Sequence, residues 1–166
     1  MYQPYPQEKF ESLNPDWRFQ ELAQHICLQA ESPPFVTDLA LVAKLPPEVR
    51  AIYFLWEFSG EVGGNGIEVY LLQQKIYHAP YVHEALKLVG AVELLERLEA
   101  GIPQALATGS TELREGTDIS WFSQFRPNPK FPTLQSVDEG IYDLASDGIR
   151  DKCNNFIESH IKIFVA

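Results

Sequence analysis

The sequence has no long apolar run. Nothing in it approaches the roughly 18 consecutive apolar residues of a membrane span, so no membrane-spanning segment is expected. It is also short of bases: 13 Lys and Arg face 23 Asp and Glu, a formal net charge of -10. Nucleic acid and anionic membrane surfaces are both held by clusters of Lys and Arg, so direct binding to either is not expected. Cysteine is scarce too. Cys27 and Cys153 lie far apart and match no metal or redox spacing. They are expected to be reduced, mostly buried thiols in a reducing cytosol. The opening residues, Met1-Tyr2-Gln3-Pro4-Tyr5, lack the basic stretch and apolar run of a secretory leader, so the expected location is cytoplasmic.

What is present describes an ordinary globular chain. It has 166 residues, 45% of them apolar and 22% charged, enough for one domain around one sizeable core. The excess of acid favours basic partners: nucleic-acid-binding proteins, such as a nucleoid protein, basic toxins, or cations. Acidity also serves solubility alone, and that reading stays open beside the first.

The apolar spacing is helical almost throughout. Asn14-Pro15-Asp16 sets a cap, a first-turn proline and an acid at the positive end of a helix running to about Ala30. Trp17, Leu22, Ile26 and Cys27 fall on one face. A short second helix is expected over 37–45. Pro46-Pro47-Glu48 opens a third, with Val49, Ile52, Leu55 and Trp56 at helical spacing. Four glycines in the seven residues 60–66 predict a break there, since each costs about 1 kcal/mol in a helix interior. A fourth helix is expected over 67–77, and Pro80 starts a fifth carrying Val82, Ala85, Leu86 and Val89. Gly90 kinks or divides it, and Gly101 with Pro103 is expected to end the helical stretch beyond that point. Residues 102–135 read as a helical turn near 111–116, then a long ordered loop in which Trp121 and Phe125 cover the core. Ser136-Val137-Asp138-Glu139 reads as a capping box opening a last helix. Nothing reads as a strand, and the first 13 residues read as a loosely held arm. The predicted fold is all-α, a single-domain irregular bundle of about six to eight helices.

The search for chemistry yields no catalytic residue, no metal site and no cofactor. His78 and His83 are five apart around Pro80, where two helical ligands normally stand four apart. Gly63-Gly64-Asn65-Gly66 lacks the Gly-Lys-Ser/Thr ending of a phosphate loop and the strand that a dinucleotide fingerprint requires. A glycine-rich interruption that lets two helices pack closely is the better account. Ser59, Ser110 and Ser123 stand in no nucleophile elbow. The expectation is a binding module, not an enzyme.

One surface feature stands out. Glu139, Asp143, Asp147 and Asp151 recur every fourth residue along the last helix, where like charges repel by a few tenths of a kcal/mol per pair. The plain account is a solvated face whose early acids suit the helix dipole. The functional account is imitation of backbone phosphates. The row spans about 18 Å, roughly one charge per 6 Å against one per about 1.7 Å of duplex DNA. Other acids would therefore have to join it, either Glu93, Glu96 and Glu99 or Glu112, Glu115 and Asp118.

The segment 56–71, with Glu61, Gly63, Gly64, Asn65, Gly66 and Tyr70, resembles the signature of a bacterial family of helical DNA-mimic proteins, long classed as a domain of unknown function. Residues 85–91, with Gly90, are similar to that family's second block, and 137–160 to its closing helix. The resemblance covers about residues 48–164. The chain departs from the pattern where Gly63-Gly64-Asn65-Gly66 replaces an Asn-Gly-Gly order and Val69 replaces a Gln. The resemblance implies an all-α fold, compatibility with a homodimer, and, from one branch, a protein that occupies the DNA-binding face of a transcription factor. Two other functions stay open: an immunity-type inhibitor of a basic toxin or nuclease, and an enzyme with an unrecognised pocket near the glycines, using Glu57, Glu61 or His78.

Overall fold

A computed structural model describes residues 2–32, 36–37, 39–109 and 118–166. The chain is helical. In order come α1 (Gln7–Ser12), α2 (Arg18–Ala30), α3 (Leu39–Val42), α4 (Pro47–Tyr70), α5 (Ala79–Leu88), α6 (Val92–Ala107), α7 (Ile119–Phe122), α8 (Leu134–Asp138), α9 (Ile141–Asp143), α10 (Ile149–Ser159) and α11 (Ile161–Phe164). A two-residue antiparallel pairing of Glu31–Ser32 with Val36–Thr37 interrupts the helices. Thr37 belongs to that pairing, so the second helix is shorter than its spacing predicts.

The helix α4 is the hub. It packs against α2, α5, α6, α8, α9, α10 and α11, and Val49, Ile52, Tyr53, Phe54, Leu55 and Phe58 on it are buried. An element apolar on nearly every side belongs at the centre of a bundle. The helix α2 covers one flank with Phe19, Leu22, Ala23 and Ile26, and α5 covers another with Val82, Ala85 and Leu86. Asn14 caps the 3-10 turn before α2 by accepting from the Asp16 N–H at 3.1 Å, as the sequence predicts. Trp17 does not join the core; it is 54% exposed.

Several boundaries differ from the sequence reading. The third and fourth helices meet at a break within the glycine run, as expected, but the break falls at its last glycine: Gly60, Gly63 and Gly64 remain helical and Gly66 departs, at φ 85° and ψ 166°, a kink within α4. Beyond Tyr70 a π turn, Leu71–Lys75, and a 3-10 turn, Ile76–His78, lead into α5. Gly90, at φ 71°, does divide α5 from α6. The helix α6 then runs on through Gly101 and Pro103 to Ala107, burying Ile102 and Ala105. That burial outweighs the single N–H that proline removes. The first residues are tied down: the Tyr5 N–H donates to the Phe164 carbonyl at 2.7 Å, the Gln7 N–H to that of Ala166 at 3.0 Å, and Phe10 is buried. The stretch read as a helical turn, 111–116, lies outside the described residues, and with it Glu112 and Glu115.

Candidate functional site

The expected capping box lies three residues earlier than the sequence suggests. The Thr133 hydroxyl accepts from the Ser136 N–H, and the Ser136 hydroxyl from the Thr133 N–H, both at 3.1 Å. They open α8, not the last helix. Asp138 is thereby released for another duty. Its carboxylate accepts from the N–H groups of Ile67 at 2.6 Å and Glu68 at 3.3 Å. Those amides begin the helical stretch that restarts after Gly66, so a carboxylate from α8 caps a break inside α4. A Cβ at Gly66 would stand 2.7 Å from the Asp138 Cγ. Glycine is required there both by its positive φ and by this approach.

The neighbouring residue is held from α6. Arg97, 8% exposed, donates from Nη1 to the Val137 carbonyl at 2.6 Å. Its guanidinium lies 5.1 Å from the centroid of the Phe131 ring, and its Nη2 lies 3.5 Å from Glu93. Gly101 lets α6 come close: a Cβ there would stand 2.9 Å from the Leu71 Cδ1. By contrast Gly60, Gly63 and Gly64 have nothing within 4 Å of where a Cβ would lie. Close helix packing therefore accounts for Gly66 and Gly101, and not for the other three glycines of the run. Of the remaining signature residues, Glu61 is half-buried and Asn65 exposed, while Tyr70 is buried edge-on against Phe58. Burial, with the Glu57, Tyr77 and Glu61 charges behind it, pushes the Tyr70 phenol well above its ordinary range.

The row of acids comes directly after α8. Glu139 terminates that helix, Gly140 turns the chain at φ 71°, and an unbroken helical run proceeds through α9, a π turn (Leu144–Gly148) and α10. Glu139, Asp143, Asp147 and Asp151 are all exposed. An every-fourth-residue row drifts around a helix of 3.6 residues per turn, and the wider π turn counters that drift. The row is not bare. Arg150 lies 2.9 Å from Asp147 and 3.5 Å from Asp151. Glu139 and Asp143 have no ion-pair partner among the described residues. Tyr142 stands between them, 65% exposed.

The acids of α6 are differently placed. Glu93 meets Arg97 at 3.5 Å, Glu96 meets the Lys130 ammonium at 2.7 Å, and Glu99 meets His83 at 2.7 Å. The hydrogen bond from Lys130 holds the Glu96 carboxyl below its usual range. Asp118 is exposed and caps α7, its carboxyl lowered by the Ser120 hydroxyl and N–H. Glu93 and Glu96 are thus paired with cations, and Glu99 is hydrogen-bonded to His83.

His78 is 2% exposed, with Nδ1 3.4 Å from Glu57 and its ring edge-on to Phe54 and Tyr77. Nε2 of His78 has no hydrogen-bond partner among the described residues. Cys27, Trp56, Glu57, Gly60 and Glu61 line a shallow open groove nearby. His83 holds Glu99 and stands edge-on to Trp121 and Phe125, so the two histidines share no ligand. Among the described residues, no three His, Cys, Asp or Glu side chains are grouped to hold a metal ion, and no helix is long and apolar enough to cross a membrane.

Sequence reasoning missed Asp138, Arg97 and Arg150. A base at 97 in the apolar register of α6 was the one visible signal; the partner of Asp138 is 71 positions away and left none. Compared with known proteins, residues 43–160 match the family model described as DMP19-like protein. No curated protein and no solved structure matches the chain.

Proposed function

The chain belongs to the DMP19-like protein family, and from that premise we propose that it is an acidic protein-binding module of the DNA-mimic kind, one that occupies the nucleic-acid-binding face of a basic DNA-binding protein. The family match is the helical DNA-mimic resemblance seen in the sequence, and it spans both the glycine signature and the acidic row.

The observation that carries the reading is the contrast between two sets of acids. Glu93 and Glu96 each face their own cation, Arg97 and Lys130, and Glu99 is hydrogen-bonded to His83. Glu139, Asp143, Asp147 and Asp151 are exposed with one guanidinium, Arg150, shared by the last two. Four carboxylates against one base leave three net negative charges on one ridge. Tyr142 gives that ridge an amphipathic anchor of the type enriched where binding energy concentrates. Asp118 is a candidate addition to the same surface. The ridge alone remains sparser than duplex phosphate, so a partner would be steered by charge and held by a smaller contact.

The test is capture from a bacterial lysate by wild type and by D143N/D147N/D151N. Wild type is expected to hold basic DNA-binding proteins that elute as salt rises and are displaced by duplex DNA, and the variant to hold them weakly. Equal capture by the variant would overturn the ridge as the contact. A single salt-resistant nuclease or toxin would replace mimicry with the immunity-type inhibitor.

A further inference from the structure

We propose that the Val137–Asp138 segment is the joint that sets the bearing of the acidic ridge, with Asp138 and Arg97 as its positioning residues. The inference rests on the ridge being the partner-binding surface.

Two helices grip this segment. From α4, the Ile67 and Glu68 amides hold the Asp138 carboxylate at 2.6 and 3.3 Å. From α6, Arg97 holds the Val137 carbonyl at 2.6 Å. The Val137 side chain is buried, its Cγ1 3.8 Å from where a Cβ on Gly101 would lie. Only Glu139 and Gly140 separate this grip from α9, and Ile141 is buried. The first acid of the ridge therefore adjoins the gripped residue, and Tyr142 and Asp143 come within one helical turn. A carboxylate on backbone N–H groups and a buried guanidinium on a carbonyl are charge-assisted bonds, stronger and more directional than neutral ones. They fix an angle where loose packing would allow many.

The glycine signature acquires a specific meaning in this geometry. Gly66 opens the two amides by leaving the helix at φ 85°, and its missing side chain is the space that Asp138 fills. The break in α4 is a socket for α8.

Amide exchange in D138A, D138N and G66A tests the joint without a partner. Residues 141–148 should exchange about tenfold faster in D138A and G66A, with α2 unchanged. D138N keeps an acceptor and should fall between D138A and wild type, whereas a pure charge effect would make D138N and D138A alike. Unchanged exchange over 141–148, or equal acceleration in α2, would overturn the joint. Binding of protamine, an arginine-rich DNA-binding protein, reads the ridge separately. D143N/D147N/D151N should bind it more weakly than the charge-matched control E8Q/E11Q/D16N; equal weakening overturns the ridge and leaves the exchange result standing. G66A, which alters no charge, should weaken protamine binding relative to wild type. Wild-type affinity in G66A, together with a weakened triple variant, would overturn the positioning role.

Discussion

Glycines that look alike in the sequence differ by the space around them. Gly63 and Gly64 are helical with open space where a Cβ would stand, so Gly63→Ala and Gly64→Ala should each stabilise by about 0.5–1 kcal/mol. Gly66→Ala should cost about 1–3 kcal/mol from its φ alone, and more from the overlap with Asp138. Thermal melts of the three variants measure the difference. At the same scale two tyrosines predict an alkaline limit. Burial raises the Tyr2 phenol from 10.0 to about 12 and the Tyr70 phenol well above 10.0. The unfolded chain then releases these protons first. The stability they carry is full below pH 10, and the Tyr2 share is lost as pH rises through about 12. Denaturant midpoints at pH 9 and pH 11 should fall accordingly, and Tyr2→Phe should lessen the fall.

Among the elements, α6 and α8 show where local rules yield to packing. Pro103 lies inside α6 because Gly101, Ile102 and Ala105 are buried on its inner face. Arg97, on that same buried side, satisfies a carbonyl of α8. Replacing it as Arg97→Met keeps the length and removes the donor, leaving the Val137 carbonyl unpaired. The expected cost is about 1–3 kcal/mol, read as a lower urea midpoint with little change in slope. Thr133 and Ser136 form the reciprocal cap of α8, so α8 begins independently of the last helix. Its terminal Asp138 is thereby free to enter the break in α4.

Over the whole molecule the excess of acid is unevenly spent. The ridge repels itself, so D143N/D147N/D151N should melt no lower than wild type at low salt, even with the Arg150 pairs lost. Any gain should shrink as salt rises, since exposed charges are screened beyond about 8 Å at physiological ionic strength. A lower melting temperature would mean that the Arg150 pairs outweigh the repulsion. Much of this molecule was legible beforehand. The helical spacing of Val49, Ile52 and Leu55 and the exposure of the four ridge acids arise from periods of three and four residues, and the Asn14 cap and the division at Gly90 from the local chemistry of single residues. The predicted break falls at Gly66 alone, because Gly60, Gly63 and Gly64 stay helical beside turns of α4 that are buried on many sides, and α6 passes Pro103 because Ile102 and Ala105 are buried.

The sequence by itself determined the helical class, the family signature and the net charge of -10, because each is a sum or a local period. Only the tertiary structure decided which acids face a base and which glycine is a joint. Glu96 is neutralised by a lysine 34 positions away, and Gly66 receives a carboxylate from beyond α6. Charge pairing and close approach depend on distance through space, and no local pattern along the chain encodes that distance.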